Sequence, residues 1–207
     1  MIDTLVHLAL VLALPPLLTG VIAKTKAAFA GRNGPPLLQG YWDLAKLFRK
    51  GSVLPSGSTW VFLAGPVAGV AAPLLASLLL PFGGHEAPLS FAGDMVLFAY
   101  LFALARFFTA SAALDTGSAF EGMGAAREVA FSALAEPALF FGFVALARIS
   151  GSLSLSGMLG SGPGWVTAGA PLVLVAASWA VVLLAENCRI PFDDPNTHLE
   201  LTMIHEV

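Results

Sequence analysis

Residues 95–114 read MVLFAYLFALARFFTASAAL, a run of 20 positions whose one charge is Arg106. Wound as an α-helix, such a run covers about 30 Å, the thickness of the hydrocarbon core of a bilayer. Four other stretches share its character: 4–23, which holds Pro15-Pro16; 59–82, inside a chargeless span between Lys50 and Glu86; 129–147, interrupted by Glu136; and 165–185, closed by Glu186. Every backbone group must be paired in lipid, so helices are the natural form, and the runs lack the polar–apolar alternation of a barrel strand. Composition agrees: the 207 residues are 57% hydrophobic and 11% charged, against about 25% charged in soluble domains. The reading is an all-α polytopic membrane protein with about five transmembrane helices, a single membrane domain over 1–207.

Several function classes fall away. A net charge of −3 gives no footprint for nucleic acid. One cysteine, Cys188, can form neither an internal disulfide nor an iron–sulfur ligand set. Neither a dinucleotide fingerprint nor a P-loop is present, so a redox cofactor belongs to a partner. No serine sits in a nucleophile elbow, and His198 and His205 lack the i, i+4 spacing of a zinc helix; no catalytic or metal-binding residue is assigned. The N-terminus is apolar with Asp3 and no leading positive charge, which reads as a retained helix and not a signal peptide.

Orientation follows from lysine and arginine. The first connection carries Lys24, Lys26, Arg32, Lys46, Arg49 and Lys50, the third Arg127, and the segment after 185 carries Arg189; the second, 83–94, has none and the fourth only Arg148. The basic side is expected to be cytoplasmic, with the N-terminus outside and the loop after the fifth helix inside. Tyr41, Leu44, Ala45 and Phe48 recur at helical spacing, with Asp43, Lys46, Arg49 and Lys50 off that stripe, which predicts a short amphipathic helix at the cytoplasmic interface. The Ser- and Gly-rich stretch 150–164 reads as a flexible exterior connection. Gly65 and Gly69 form a small-xxx-small pair suited to close helix approach.

Charges inside spans are expensive and need partners or water. Taking Asp94 as the outer surface, Arg106 lies about 18 Å deep; taking Glu128 as the inner surface, Glu136 lies about 12 Å deep. In a core of about 30 Å the two meet at one depth on consecutive antiparallel helices. That pairing serves equally as a static lock or as one element of a proton or ion relay. Glu128 and Glu186 fall near helix ends, where solvation at the headgroup level is the ordinary case and Arg127 and Arg189 are local partners. The densest polar stretch follows: Pro191 breaks the fifth helix, Asp194-Pro195 reads as the start of another, and Asp193, His198, Glu200, His205 and Glu206 crowd around Arg189.

That stretch, AENCRIPFDDPNTHLELTMIHE (185–206), closely resembles the signature of the complex I subunit 1 family, and more closely its counterpart in group 4 membrane-bound [NiFe] hydrogenases and formate hydrogenlyase. Arg189, Pro191, Phe192, Asp193, Pro195, Glu200 and Leu201 fit both branches; Asp194, Thr197, His198 and Thr202-Met203-Ile204-His205-Glu206 fit the hydrogenase branch. GRNGPPLLQGYWDLAKLFRK (31–50) resembles the family's first cytoplasmic loop, without the extra residues of quinone-type members. GMGAAREVAFSALAEPALF (122–140) resembles its acidic loop and following helix. The resemblance implies a non-catalytic subunit of the bacterial or archaeal cytoplasmic membrane. Such a subunit anchors soluble [NiFe] hydrogenase-like large and small subunits and joins them to antiporter-like membrane subunits. The [NiFe] centre and iron–sulfur clusters would lie in those partners. It implies an ion path through Arg106, Glu128, Glu136, Glu186, Asp193 and Glu200, and a redox-arm interface at Arg32, Arg127, Arg189, Pro191, Asp194 and His198. Family members continue for several helices past the position of Val207, so the chain corresponds to an N-terminal portion of a longer fold. The alternatives are a subunit of a quinone-reducing complex and a stand-alone transporter, the latter disfavoured by the lack of an inverted repeat.

Overall fold

Long apolar runs form helices here even where they hold proline or glycine, and a computed structural model of the chain describes residues 2–160 and 168–187. In order these are α1 (Ile2–Phe29), α2 (Gln39–Leu47), α3 (Trp60–Ser77), α4 (Asp94–Asp115), α5 (Ala119–Ser150), the short α6 (Leu155–Leu159) and α7 (Gly169–Glu186). Among the described residues no strand forms beyond one isolated bridge, Phe82 to His85. Five of these helices, α1, α3, α4, α5 and α7, are long and apolar enough to cross a membrane. The fold is therefore the all-helical, multi-pass one expected. The chain divides into two units, Met1–Leu54 and Pro55–Val207.

In the first unit α2 packs on α1 through glycines. A Cβ on Gly40 would lie 2.9 Å from the Pro16 carbonyl oxygen, and one on Gly20 would strike the Leu37 backbone. Pro15 and Pro16 interrupt the backbone ladder of α1, and near that break the Tyr41 hydroxyl donates to the Ala13 carbonyl. The expected apolar stripe is thus used only at its start: Tyr41 meets α1, while Phe48 stays 87% exposed.

The second unit is built on a tight hairpin of α3 and α4. Thr59 caps α3, and Asp115, the last residue of α4, accepts hydrogen bonds from the Thr59 N–H (2.6 Å), the Thr59 hydroxyl (2.9 Å) and the Phe62 N–H (3.2 Å). One carboxylate so satisfies two of the orphan donors at the start of α3. Gly65 faces α4, where a Cβ would sit 2.8 Å from the Ala112 Cβ, whereas a Cβ on Gly69 would meet nothing within 4 Å. The two glycines do not share one contact.

Two sequence expectations are corrected. The fourth span begins at Ala119, ten residues before Val129. Gly122 and Gly124 do not break it, because Gly124 and Ala125 are buried and Ala125 joins Ala110 and Ala113 of α4 in a close small-residue cluster; tertiary packing outweighs the roughly 1 kcal/mol helix cost of a glycine. The part of the 150–164 connection that is described, 150–160, is folded and not a flexible linker. It carries α6, whose Leu155 and Met158 are 1% and 0% exposed, held in the core with Leu79, Phe143 and Leu146. The serines that suggested flexibility act as caps: the Ser154 hydroxyl accepts from the Gly157 N–H at 3.1 Å.

Gly65→Val should lower the thermal stability of the detergent-solubilised protein by about 1–3 kcal/mol through overpacking against Ala112, while Gly69→Val should stay within about 0.5 kcal/mol. Fluorescence-detected melting of both variants checks the contrast.

Candidate functional site: one arginine and three carboxylates

Arg106 sits at the thirteenth of the 22 positions of α4, and its side chain is 10% exposed. Each part of its guanidinium meets a different carboxylate. Nε lies 3.4 Å from Oε1 of Glu128. Nη1 donates to Oε1 of Glu136 at 3.1 Å. Nη2 donates to Oε2 of Glu186. The planar fork of arginine, with five donors in fixed directions, spreads three partners over three separate nitrogens, where a lysine offers a single nitrogen.

The helices bring this about in different ways. Glu128 and Glu136 are eight residues apart on α5, just over two turns, so both face α4. Pro137, directly after Glu136, removes one ladder bond from α5. Glu186 is the last residue of α7, yet it reaches the middle of α4. Arg106 lies nine residues before the end of α4 at Asp115, or about 14 Å along the axis. Glu186 is therefore not the solvated helix terminus that the sequence suggested, and Glu128 likewise turns to Arg106 in the interior. Their side chains are 30% and 17% exposed, against 44% for Glu136.

Charge does not balance at this site. One guanidinium faces three carboxyl groups, and in a medium of low dielectric constant an uncompensated charge costs several kcal/mol. The cluster needs protons, water or a neighbouring cation to close that gap.

Beside the cluster lies a cavity of about 310 Å3 between α4, α5 and α7. Arg106, Glu136, Glu186 and Asn187 form its polar end; Phe98, Phe143, Leu155 and Leu159 line the apolar part. A second cross-tie joins the same three helices there. Phe98 of α4, Phe143 of α5 and Trp179 of α7 stack edge to face, with centroid separations of 6.1 and 5.2 Å. Gly142 makes room, since a Cβ on it would collide with the Trp179 ring. Arg106, Glu136 and Glu186 are seven or eight residues from the aromatic tie on their respective helices, roughly 10–12 Å, and the cavity occupies the space between.

Of the other sequence-derived positions, Arg32 is exposed in the turn after α1, and Arg127 lies on α5 with its guanidinium 5.3 Å from the centroid of Phe131. Arg189, Pro191, Asp193, Asp194, His198 and Glu200 lie outside the described residues. Sequence reasoning missed Asp94, taken as a surface marker. It is 0% exposed and accepts from the Leu155 N–H at 2.7 Å and the Phe91 N–H at 3.4 Å. It also missed the aromatic tie, whose only trace is large rings at matching depth on three separate spans.

Residues 2–206 match the model of the NADH dehydrogenase family. The chain belongs to that family. Its relatives include formate hydrogenlyase subunit 4 of Escherichia coli (strain K12), 36% identical over 95% of this chain and 64% of the relative. Hydrogenase-4 component C of the same organism is 35% identical over 97% of this chain and 64% of the relative. A subunit of the NADH-quinone oxidoreductase of Rubrobacter xylanophilus is 30% identical over 93% and 61%. The chain thus spans somewhat less than two thirds of the length of the curated relatives it matches. Among solved structures, a chain of the membrane-bound sulfane sulfur reductase, an archaeal respiratory membrane complex, superposes with a TM-score of 0.73 at 24% identity, over 88% of this chain and 60% of that one. That likeness establishes a shared fold for this member of the family.

Arg106→Lys keeps the charge but cannot hold three carboxylates on three separate nitrogens. It should destabilise the solubilised protein by about 2–4 kcal/mol, approaching the 3–5 kcal/mol of a broken buried ion pair, and Glu136→Gln, at the most exposed arm, by less. Thermal melting of both variants in one detergent measures the order.

Proposed function

We propose that this chain is a membrane anchor and coupling subunit of an energy-converting complex of the [NiFe] hydrogenase or formate hydrogenlyase type. In this reading it links a soluble redox arm to proton or sodium translocation. The observation that carries the proposal is the Arg106 cluster: three carboxylates on one guanidinium, inside the span region and beside a cavity. A static lock needs one carboxylate; two more leave titratable capacity in the place where an ion path needs it. The family membership and the higher identity to the formate hydrogenlyase and hydrogenase-4 relatives than to the quinone-reducing relative support the hydrogenase branch. A quinone-reducing complex of the same family is the second reading.

The partners proposed are large and small hydrogenase-like subunits carrying the [NiFe] centre and iron–sulfur clusters, together with antiporter-like membrane subunits. The lysines and arginines of residues 24–50, with Arg127 near the start of α5, favour a cytoplasmic basic side, where Arg32, Arg127, Arg189, Pro191, Asp194 and His198 would receive the redox arm. Ions would reach Arg106, Glu128, Glu136 and Glu186 from that side, by way of Asp193 and Glu200. The chain's own side chains would hold, order and release the charge; electron transfer belongs to the partners.

Glu136→Gln in the intact complex should abolish or strongly reduce ion movement coupled to turnover, while hydrogenase activity with artificial electron carriers stays near that of the unaltered complex. Vesicle-based ion uptake measured beside dye-linked activity tests this; unchanged coupling would remove the relay role.

A further inference from the structure

The apolar end of the cavity beside Arg106 is lined by a folded segment that is hydrogen-bonded to Asp94. Residues 152–159 lie across the bundle where α3 and α5 end and α4 and α7 begin. Leu155 and Leu159 of this segment line the cavity, and Leu155 and Met158 are sealed among Leu79, Phe143 and Leu146. Three hydrogen bonds pin the segment to the opposite connection, and a fourth, from Phe91 to Asp94, holds that carboxylate in place. Asp94 accepts from the buried Leu155 N–H at 2.7 Å and from the Phe91 N–H at 3.4 Å. The Gly93 N–H donates to the Leu153 carbonyl at 2.9 Å. The Ala87 N–H donates to the Ser156 hydroxyl at 2.9 Å.

The local backbone is shaped for this. Gly93 has φ 91° and Gly151 φ 70°, left-handed values that glycine adopts without the strain of a side chain. They turn the chain into α4 and out of α5, where the two connections meet through these hydrogen bonds. A plain connector between spans needs neither a fully buried carboxylate nor a pair of leucines directed into the bundle.

We propose that 152–159 is a plug that seals the charged cluster from one face of the membrane, and that Asp94 is its positioning residue. The cluster is then open to exchange only from the other end of the helices, which makes the cavity a one-sided vestibule. An ion path with both ends open would leak, so the closure supplies the asymmetry that coupling requires. This deepens the ion-path reading and rests on it for its purpose, but not for its test.

The test places a single cysteine at Ala103, a cavity-lining position, with Cys188 replaced by Ser, in the assembled complex in oriented membrane vesicles. A charged, membrane-impermeant thiol reagent is added on the plug face, and modification of this chain is read by mass. Ser90→Cys, in the exposed connection before α4, marks full access from that face. Ala103→Cys should react far more slowly than Ser90→Cys. Asp94→Ala should speed it about tenfold, the order by which losing a buried hydrogen-bond acceptor favours local opening. Asp94→Asn, which keeps one acceptor oxygen, should fall between. Leu159→Ala trims the plug while leaving Asp94 in place and should also speed the reaction; it decides the question if Asp94→Ala does not assemble. The proposal is overturned if Ala103→Cys reacts as fast as Ser90→Cys in the otherwise native chain. It is equally overturned if no plug variant that assembles changes the rate. Ion uptake does not enter this readout, so a failed plug and a failed relay are told apart.

Discussion

A guanidinium placed halfway along an apolar helix must find opposite charge or water, and that constraint organises the larger unit of this protein. Arg106 finds three carboxylates, two on α5 and one on α7. Because each nitrogen meets a different group, the arginine fixes the depth of three helices relative to one another as well as their facing sides. A hydrophobic contact in the same place would tolerate sliding by part of a turn. An ion pair in low dielectric does not, since stretching it from about 3 to about 6 Å halves its Coulomb energy and breaks its hydrogen bond.

Around that constraint the packing divides by side-chain size. Near the α3–α4 and α4–α5 contacts the residues are small: Gly65 against Ala112, and Ala110 and Ala113 against Ala125. Small residues let backbones approach closely and gain dispersion contacts where lipid offers no hydrophobic drive. Toward the other end the residues are large: Phe98, Phe143, Trp179, Leu155 and Met158. Next to these large residues lies the cavity whose polar end is the charge cluster. On the proposed reading, the charge cluster and the cavity beside it are the elements that would serve coupling.

The five spans were legible because twenty-residue apolar runs in a chain with few charges admit little else. The Arg106–Glu136 pair was legible too, because counting residues from each helix end brings the two to one depth. Glu128 and Glu186 were misjudged on the assumption that a charge near the end of an apolar run lies at the surface. Here α5 starts ten residues earlier than its apolar run, and α7 finishes level with the middle of α4. The serine-rich connection misled for a related reason. Serine and glycine counts suggest a solvated linker, but Leu155, Met158 and Leu159 within it carry enough apolar surface to fold back onto the bundle. Asp94 shows the converse case: an acid at the start of a span reads as a surface marker, and only the crossing of two connections reveals that its oxygens are taken up by backbone N–H groups.

Whether Arg106 binds all three carboxylates at once is tested most directly by double-mutant cycles. Thermal stability of the assembled protein would be measured for Arg106→Gln, for each of Glu128→Gln, Glu136→Gln and Glu186→Gln, and for the three pairs. A shared cluster predicts a favourable coupling in every cycle, of about 0.5–3 kcal/mol, including the one for Glu186 from the far end of α7. A coupling indistinguishable from zero for Glu186, with Glu136 still coupled, would leave a simple pair between neighbouring helices and contradict the shared cluster.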